Sequence, residues 1–252
     1  MVQGQRGQHS GDHPERVADH AAPMLKVYGF SRVNSVARGN TRDLRVLWAL
    51  EEMQMPFELI GMNHPAHELS TDAYRKLSPF EQIPAIDDDG IVLSESAAIL
   101  VYLAKKARKL IPGDPAGEAQ VVRWCLTAMN TIELPLLSIM FLDWSSDRSA
   151  GGNAQRKRFV EWAHRHLASL ERWLDGREFV ATGTFTVADI LMSLVLSGVN
   201  DDSLLKPYDR VRSYRDAANR GLPGAGLSKL IVLGLRLLNG PAAVCSVVAN
   251  RL

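Results

Sequence analysis

Between Ser78 and Ser96 the chain reads SPFEQIPAIDDDGIVLSES, and this stretch restricts the fold more than any other. Two short apolar runs flank an acidic turn, and a proline sits inside the first of them. Proline lacks the N–H that a sheet ladder needs and fixes its own φ, so Pro84 requires a special local geometry. A cis peptide bond after Ile83 is one: it turns the chain sharply and leaves the groups of Ile83 pointing outward, where a ligand can reach them. Pro84 to Ile86 and Ile91 to Leu93 read as two short strands whose Asp-Gly step favours a tight hairpin. Ser94, Glu95 and Ser96 then open a helix in which Ala97, Leu100, Val101 and Ala104 recur at helical spacing.

The segment upstream completes a small α/β unit. LKVYGF is a β-type run, followed by the polar loop SRVNSVARGNT. Val46, Ala49, Leu50 and Met53 then mark one face of a helix from Arg42 to Gln54, with Arg45, Glu51 and Glu52 outside the stripe. Pro56 ends that helix, FELIGM reads as a second strand, and a strand-helix-strand connection of this kind makes the two strands parallel. Ser70 or Thr71 caps a short helix through Tyr74 and Lys76. The order is β-α-β-α-β-β-α.

LIPGDPAG, residues 110–117, is a Pro/Gly-rich break, and beyond it the pattern is helical throughout. Glu118 to Trp144 is apolar-rich. Gln155 to Leu174 sets Phe159, Trp162, Ala163, Leu167, Leu170, Trp173 and Leu174 on one face, with SSDRSAGGN as the turn between the two helices. In FTVADI, Thr186 is an N-cap, Asp189 falls at N3, and Phe185 can staple onto Ile190. The following LMSLVL is apolar nearly all round, so this helix belongs in the middle of the second domain. The expected organisation is a polar extension over 1–23, an α/β domain over 24–109, a linker over 110–117, an all-helical domain over 118–220, and an apolar tail over 221–252.

Composition narrows the functional classes. With 29 basic and 28 acidic residues among 252, no overall field draws the chain to nucleic acid or to an anionic membrane. Residues 1–23 hold three of the seven histidines but no apolar core of a secretory signal. Cys125 and Cys245 are far apart and form no C-x-x-C, so neither a disulfide framework nor a metal site is expected, and a reducing cytoplasm fits. His164 and His166, two apart on a helix, diverge rather than share a metal. The tail is apolar but broken by Lys229, Arg236, Asn239 and Pro241, which argues against a membrane span.

From Leu25 to Arg215 the sequence resembles the soluble (cytosolic) glutathione S-transferases, of the bacterial type. The resemblance is carried by NTRDLRVLWALEE, SPFEQIPAI, LSESAAILVYLA and REFVATGTFTVADI in that order. It implies a thioredoxin-like N-terminal domain, βαβαββα, followed by a C-terminal helical bundle. It also implies a cis bond before Pro84, backbone pairing of Ile83 with the cysteinyl part of glutathione, and Glu95 and Ser96 holding the γ-glutamyl end. A helix N-terminus with a serine hydroxyl suits a carboxylate, and a glutamate suits an ammonium. Gln82 and His67 are further candidates, His67 for the glycine carboxylate.

Enzymes of this family lower the pKa of the bound thiol so that thiolate, the nucleophile, forms near neutral pH. One donor must face the sulfur. Counting back from RVLWALEE, the resemblance points to Thr41, then Asn40, then Ser35; Thr41 and Asn40 are also favoured helix caps. Trp124, Cys125 and Met129 fall on the wall that forms the electrophile pocket in such proteins, where a packed core explains them equally well. The expected activity is conjugation of glutathione, as co-substrate and with no metal, to a small hydrophobic electrophile by a homodimer. The alternatives are a glutathione-dependent reductase, peroxidase or isomerase, and a non-catalytic glutathione-binding or protein-interaction module.

Overall fold

The computed structural model describes residues 24–33, 41–145, 149–199 and 201–220, together with 245–246. The expected extension over 1–23 and nearly all of the tail over 221–252 lie outside the described residues. The N-terminal layer is β1 (Leu25–Arg32), α1 (Asp43–Met53), β2 (Phe57–Asn63), α2 (Asp72–Arg75), β3 (Ala85–Asp88), β4 (Ile91–Ser94) and α3 (Ser96–Ala107). β1 and β2 are parallel, in register from Leu25 opposite Phe57 to Phe30 opposite Met62. β3 runs antiparallel to β1, with Val27 opposite Ile86, and β4 returns antiparallel to β3. The resulting order β4-β3-β1-β2 is that of a thioredoxin-like mixed sheet; the two-residue strand β5 (Cys245–Ser246) pairs on the outer edge of β2. The β3–β4 hairpin turns at Asp89 and Gly90, whose φ angles of 54° and 87° are those of a tight hairpin turn. The Asp87 carboxylate there accepts from the Gly90 N–H at 2.9 Å.

The helical layer comprises α4 (Pro115–Leu126), α5 (Glu133–Ser145), α6 (Ala150–Trp173), α7 (Val187–Ser197) and α8 (Asp209–Arg220). Two helix starts in this layer fall earlier than the sequence reading. α4 begins at Pro115, inside the expected linker, because Asp114 caps it by accepting from the Gly117 N–H at 2.8 Å and proline suits the first helical position. α6 begins at Ala150, inside the expected turn, because Ser149 accepts from the Gly152 N–H and starts the helix despite its glycine pair.

α4 and α5 are joined without a break through a π-helical stretch, Thr127–Ile132, in which the Glu133 N–H reaches back five residues to the Ala128 carbonyl. Pro135 stands just beyond it, and a proline within a helix removes a bond and crowds the carbonyl four residues earlier. Widening the preceding turn accommodates that crowding. The joined helix, Pro115–Ser145, is long and apolar enough to cross a bilayer. Here Val121, Trp124, Cys125, Ala128 and Ile132 are buried in the core, while Leu126, Leu134, Phe141 and Trp144 are exposed.

One hydrophobic cluster joins the two layers: Val27, Trp48, Leu50, Ile86 and Leu100 are continuous with Cys125, Val187, Ile190 and Leu191. α1 lies between the sheet and the helical layer, and every residue from Asp43 to Leu50 is buried. A second cluster, Leu69, Tyr74, Ile83 and Ala85 with Tyr28, Phe30, Met62 and Leu77, packs α2 on the opposite face of the sheet.

α7 is buried nearly all round, as its sequence predicts. Its first turn carries the capping arrangement built on Thr186 and Asp189. The Asp189 carboxylate accepts from the Thr186 N–H and hydroxyl, both at 2.9 Å, from the Val180 N–H at 2.8 Å and from the Tyr214 hydroxyl at 2.8 Å. Burial raises its pKa, and these four bonds oppose the rise. Replacing Asp189 by alanine leaves four buried donors, on three separate segments, without their acceptor. The expected cost is about 3 kcal/mol or more in a urea unfolding curve, and a loss below about 1 kcal/mol sinks the assignment of Asp189 as the organiser of this region.

Candidate functional site

The β3–β4 register places Ala85 opposite Ser94. The residues just outside the hairpin, Ile83 and Pro84 on one side and Glu95 and Ser96 on the other, are thereby brought together. They line a shallow, solvent-open depression with Gln82, Ser78, Phe80, Ser94 and Arg42. The Ile83–Pro84 peptide bond is cis. The approach to it is held locally: the Ser78 hydroxyl accepts from the Gln82 N–H at 3.0 Å, and the Tyr74 hydroxyl donates to the Gln82 carbonyl at 2.9 Å. Phe80, at the rim, is 77% exposed.

Glu95 precedes α3 with φ 69° and ψ 112°, a conformation uncommon outside glycine. Its side chain makes no capping bond to the helix, so the first-turn N–H groups of α3 keep their donor capacity and the carboxylate is exposed. A helix N-terminus with free donors and a buried serine hydroxyl, beside an exposed carboxylate, matches the carboxylate and ammonium of an amino-acid head group. The far end of the hairpin is anchored too. Asp88 is buried and accepts from the Tyr102 hydroxyl at 2.6 Å and from the Lys106 ammonium, tying the turn end of β3 to the second half of α3.

Beneath Ser96 lies a charged cluster that the helical stripe of α1 does not reveal. Arg45 is 5% exposed; its Nη1 donates to the Ser96 Oγ at 3.2 Å and contacts the Met129 sulfur at 2.9 Å, and its Nη2 pairs with the Glu133 Oε1 at 2.7 Å. Arg42, on the solvent side, also reaches the Glu133 Oε1, at 3.2 Å, while the Glu133 Oε2 is buried without a partner. Burial lowers the Arg45 pKa, and the attraction and hydrogen bond of Glu133 oppose that. Sequence signals for the cluster exist: Glu133 is a carboxylate inside the apolar run TIELPLLSIM, and a buried carboxylate needs a cation.

Thr41 stands at the entrance to α1, half-buried, with its carbonyl accepting from the Leu44 N–H at 3.3 Å. Its side chain acts on Asp43, a buried carboxyl that accepts from the Phe30 N–H at 2.8 Å and the Leu44 N–H at 3.1 Å. Burial pushes the Asp43 pKa up against those bonds. Gly29 makes room for it, since a Cβ there would stand 3.0 Å from an Asp43 oxygen. Asn40 and Ser35 lie outside the described residues. His67 is exposed between two short 3₁₀ turns, with φ 59°, and does not line the depression. Cys125 is buried and its thiol pKa is pushed up to about 12, an unreactive state. His164 faces Tyr208 and His166 faces Trp162, so they serve different contacts.

Comparison with known proteins agrees with this geometry. The family profile described as "Glutathione S-transferase, N-terminal domain" matches residues 44–106. Glutathione S-transferase 3 of Schizosaccharomyces pombe is 26% identical over 190 residues, covering 69% of this chain and 78% of its own length. Glutathione S-transferase D7 of Drosophila melanogaster is 30% identical over 154 residues, 59% of this chain and 66% of its own. A glutathione transferase from Burkholderia graminis, solved with two glutathione molecules per subunit, superposes with a TM-score of 0.69 at 27% identity, over 86% of this chain and 90% of that one. These similarities support placing the chain with the soluble glutathione S-transferases.

The Asp88 anchor has a pH signature. Burial raises its pKa, but the bonds from Lys106 and Tyr102 outweigh this and hold it below the usual carboxylate range. A depressed folded pKa gives stability that is present above the unfolded value, about 3.9, and lost as pH falls through the lower folded one. Asp88→Asn is expected to flatten the acid limb of a thermal-unfolding pH series below about pH 4. An acid limb identical to the parent's counts against the anchor.

Proposed function

We propose that this chain binds glutathione in the depression at the start of α3 and joins its thiolate to a small hydrophobic electrophile. The observation that carries the reading is the cis Ile83–Pro84 bond lying beside the uncapped N-terminus of α3, with Glu95 and Ser96 at the junction. In this reading Ile83 supplies backbone pairing to the cysteinyl unit and Pro84 fixes the bend. Ser96 and the α3 N–H groups take the glutamyl carboxylate, Glu95 takes its ammonium, and Gln82 contacts the peptide; His67 reaches the glycine end only through movement of its loop. The bound glutathione structure of the Burkholderia graminis relative supports glutathione as the ligand.

The activating donor is Thr41, at the mouth of α1, where the helix dipole also favours a thiolate. Its side chain acts on Asp43, so a thiolate competes with that carboxyl for the hydroxyl proton. That engagement also favours a second reading, a glutathione-binding module without turnover. The exposed apolar residues Leu126, Leu134, Phe141 and Trp144 of the α4–α5 helix support association into a homodimer through that face.

A conjugation assay with glutathione and an aryl halide separates the readings. Turnover is expected, with kcat/KM falling about a hundredfold in Thr41→Val and largely kept in Thr41→Ser. Retention on glutathione resin without conjugate selects the binding module. Equal rates for the parent and Thr41→Val remove Thr41 from the chemistry, and the same substitution at Asn40 then becomes the next comparison.

A further inference from the structure

The corner where α7 ends holds a cavity that the glutathione reading leaves unused. α7 ends on its Gly198 cap, and the chain returns through Asp201, which caps a 3₁₀ turn over Asp202–Leu204. The second half of α5 passes beside this corner, and between them lies a cavity of about 170 Å³. Leu136, Ile139, Met140 and Trp144 of α5 form one wall, Val199 and Leu204 the other. Ile139 and Leu204 are buried and pack with Ala163 of α6 in a small cluster of their own, which gives the cavity a packed floor. Apolar walls that face unfilled space forfeit dispersion contacts that a ligand can restore, and a dry apolar cavity of roughly 150 Å³ is enough for benzene.

The charged groups of the cavity are carboxylates. Asp143 and Asp201 line it, and their side chains are partly exposed, so they mark its solvent side. Arg156 of α6 binds both Asp143 oxygens, at 2.7 and 3.1 Å. It does not close on Asp201 in the same way: Asp201 Oδ2 lies 3.7 Å from the guanidinium, beyond an ordinary hydrogen bond, while Oδ1 accepts from the Ser203 N–H at 3.0 Å. The Ser203 bonds and the Arg156 charge hold the Asp201 pKa below the usual carboxylate range, against burial and the charge of Asp143. An ionised carboxylate only accepts, so the group that answers it is a donor, best a cation. An indole in the wall favours the same charge. We infer that this corner binds a small primary amine with an apolar body, its phenyl or short alkyl group in the cavity and its ammonium on Asp201. The site shares no lining residue with the depression at the start of α3, and the inference does not rest on the glutathione reading.

A ligand-observed NMR titration of the full chain tests it with 2-phenylethylamine, 2-phenylethanol and 3-phenylpropanoate, probes of similar size that end in a cation, a neutral hydroxyl and an anion. The amine is expected to bind with a Kd of about 1 mM or tighter, about fivefold or more below that of the alcohol, with the acid weakest. Asp201→Asn keeps the cap and removes the charge; it is expected to bring the amine to the alcohol's affinity while shifting the alcohol by less than about twofold. Val199→Phe puts a ring into the cavity and is expected to weaken amine and alcohol alike, by about tenfold. An amine bound as tightly by Asp201→Asn as by the parent overturns the inference. Amine binding that survives Val199→Phe places the probe elsewhere on the surface and overturns it too. Should neither variant fold, the probe series on the parent still decides: no binding, or three equal affinities, sinks the proposal.

Discussion

Arg45 is a full charge inside the protein, and much of the architecture answers to it. Removing an ion from water costs several kcal/mol even after relaxation, unless a counter-ion and hydrogen bonds replace the lost solvent. The counter-ion here comes from far along the chain: α1 carries the arginine and α5 carries Glu133. The relation between the layers is therefore constrained by directional bonds as well as by apolar contact. A shift that stretches the pair leaves both a guanidinium and a carboxylate unpaired in the interior, so the arrangement that keeps them together is strongly preferred. Ser96 and Met129 complete the shell, and through Ser96 the same constraint reaches the depression at the start of α3.

The parts legible in the sequence were those written in local chemistry. Turn residues and apolar alternation marked the β3–β4 hairpin, and Pro84 marked the bend. Periodicity marked α1 and α3, and the Thr186–Asp189 spacing marked the start of α7. Motif order identified the family, and with it five residues that the structure gathers around one depression. What escaped was non-local. A stripe of apolar residues describes a helix with one buried face, but α1 is covered on both, so Arg45 and Asp43, polar by composition, are interior by position. Glu133 was hidden for the complementary reason: its run is so apolar that periodicity carries little information. The helix starts at Pro115 and Ala150 depended on single caps, Asp114 and Ser149, that outweighed the proline and glycine signals around them.

The site itself divides along the same line. The ligand-holding half we propose is made of backbone geometry and helix-end donors, which need only the right turn and the right junction and so follow from the sequence between Ser78 and Ser96. The chemical half we propose is the Thr41 hydroxyl, whose side chain acts on a buried carboxyl. That partner, Asp43, is two residues away in the chain, yet one of its bonds comes from Phe30 on β1. The relation is invisible without the fold.

The double coverage of α1 has a consequence for how the molecule comes apart. Trp48 and Leu50 belong to the same cluster as residues of the sheet and of α7, so neither layer owns the helix. Withdrawing the helical layer would present water with one side of α1, a bare guanidinium among it; withdrawing the sheet would expose the other side. Neither fragment is a self-sufficient body. The two layers are thus partners in a single cooperative transition, and the boundary that looks natural along the chain, at the Pro/Gly break before α4, is not a seam along which the protein can melt in stages.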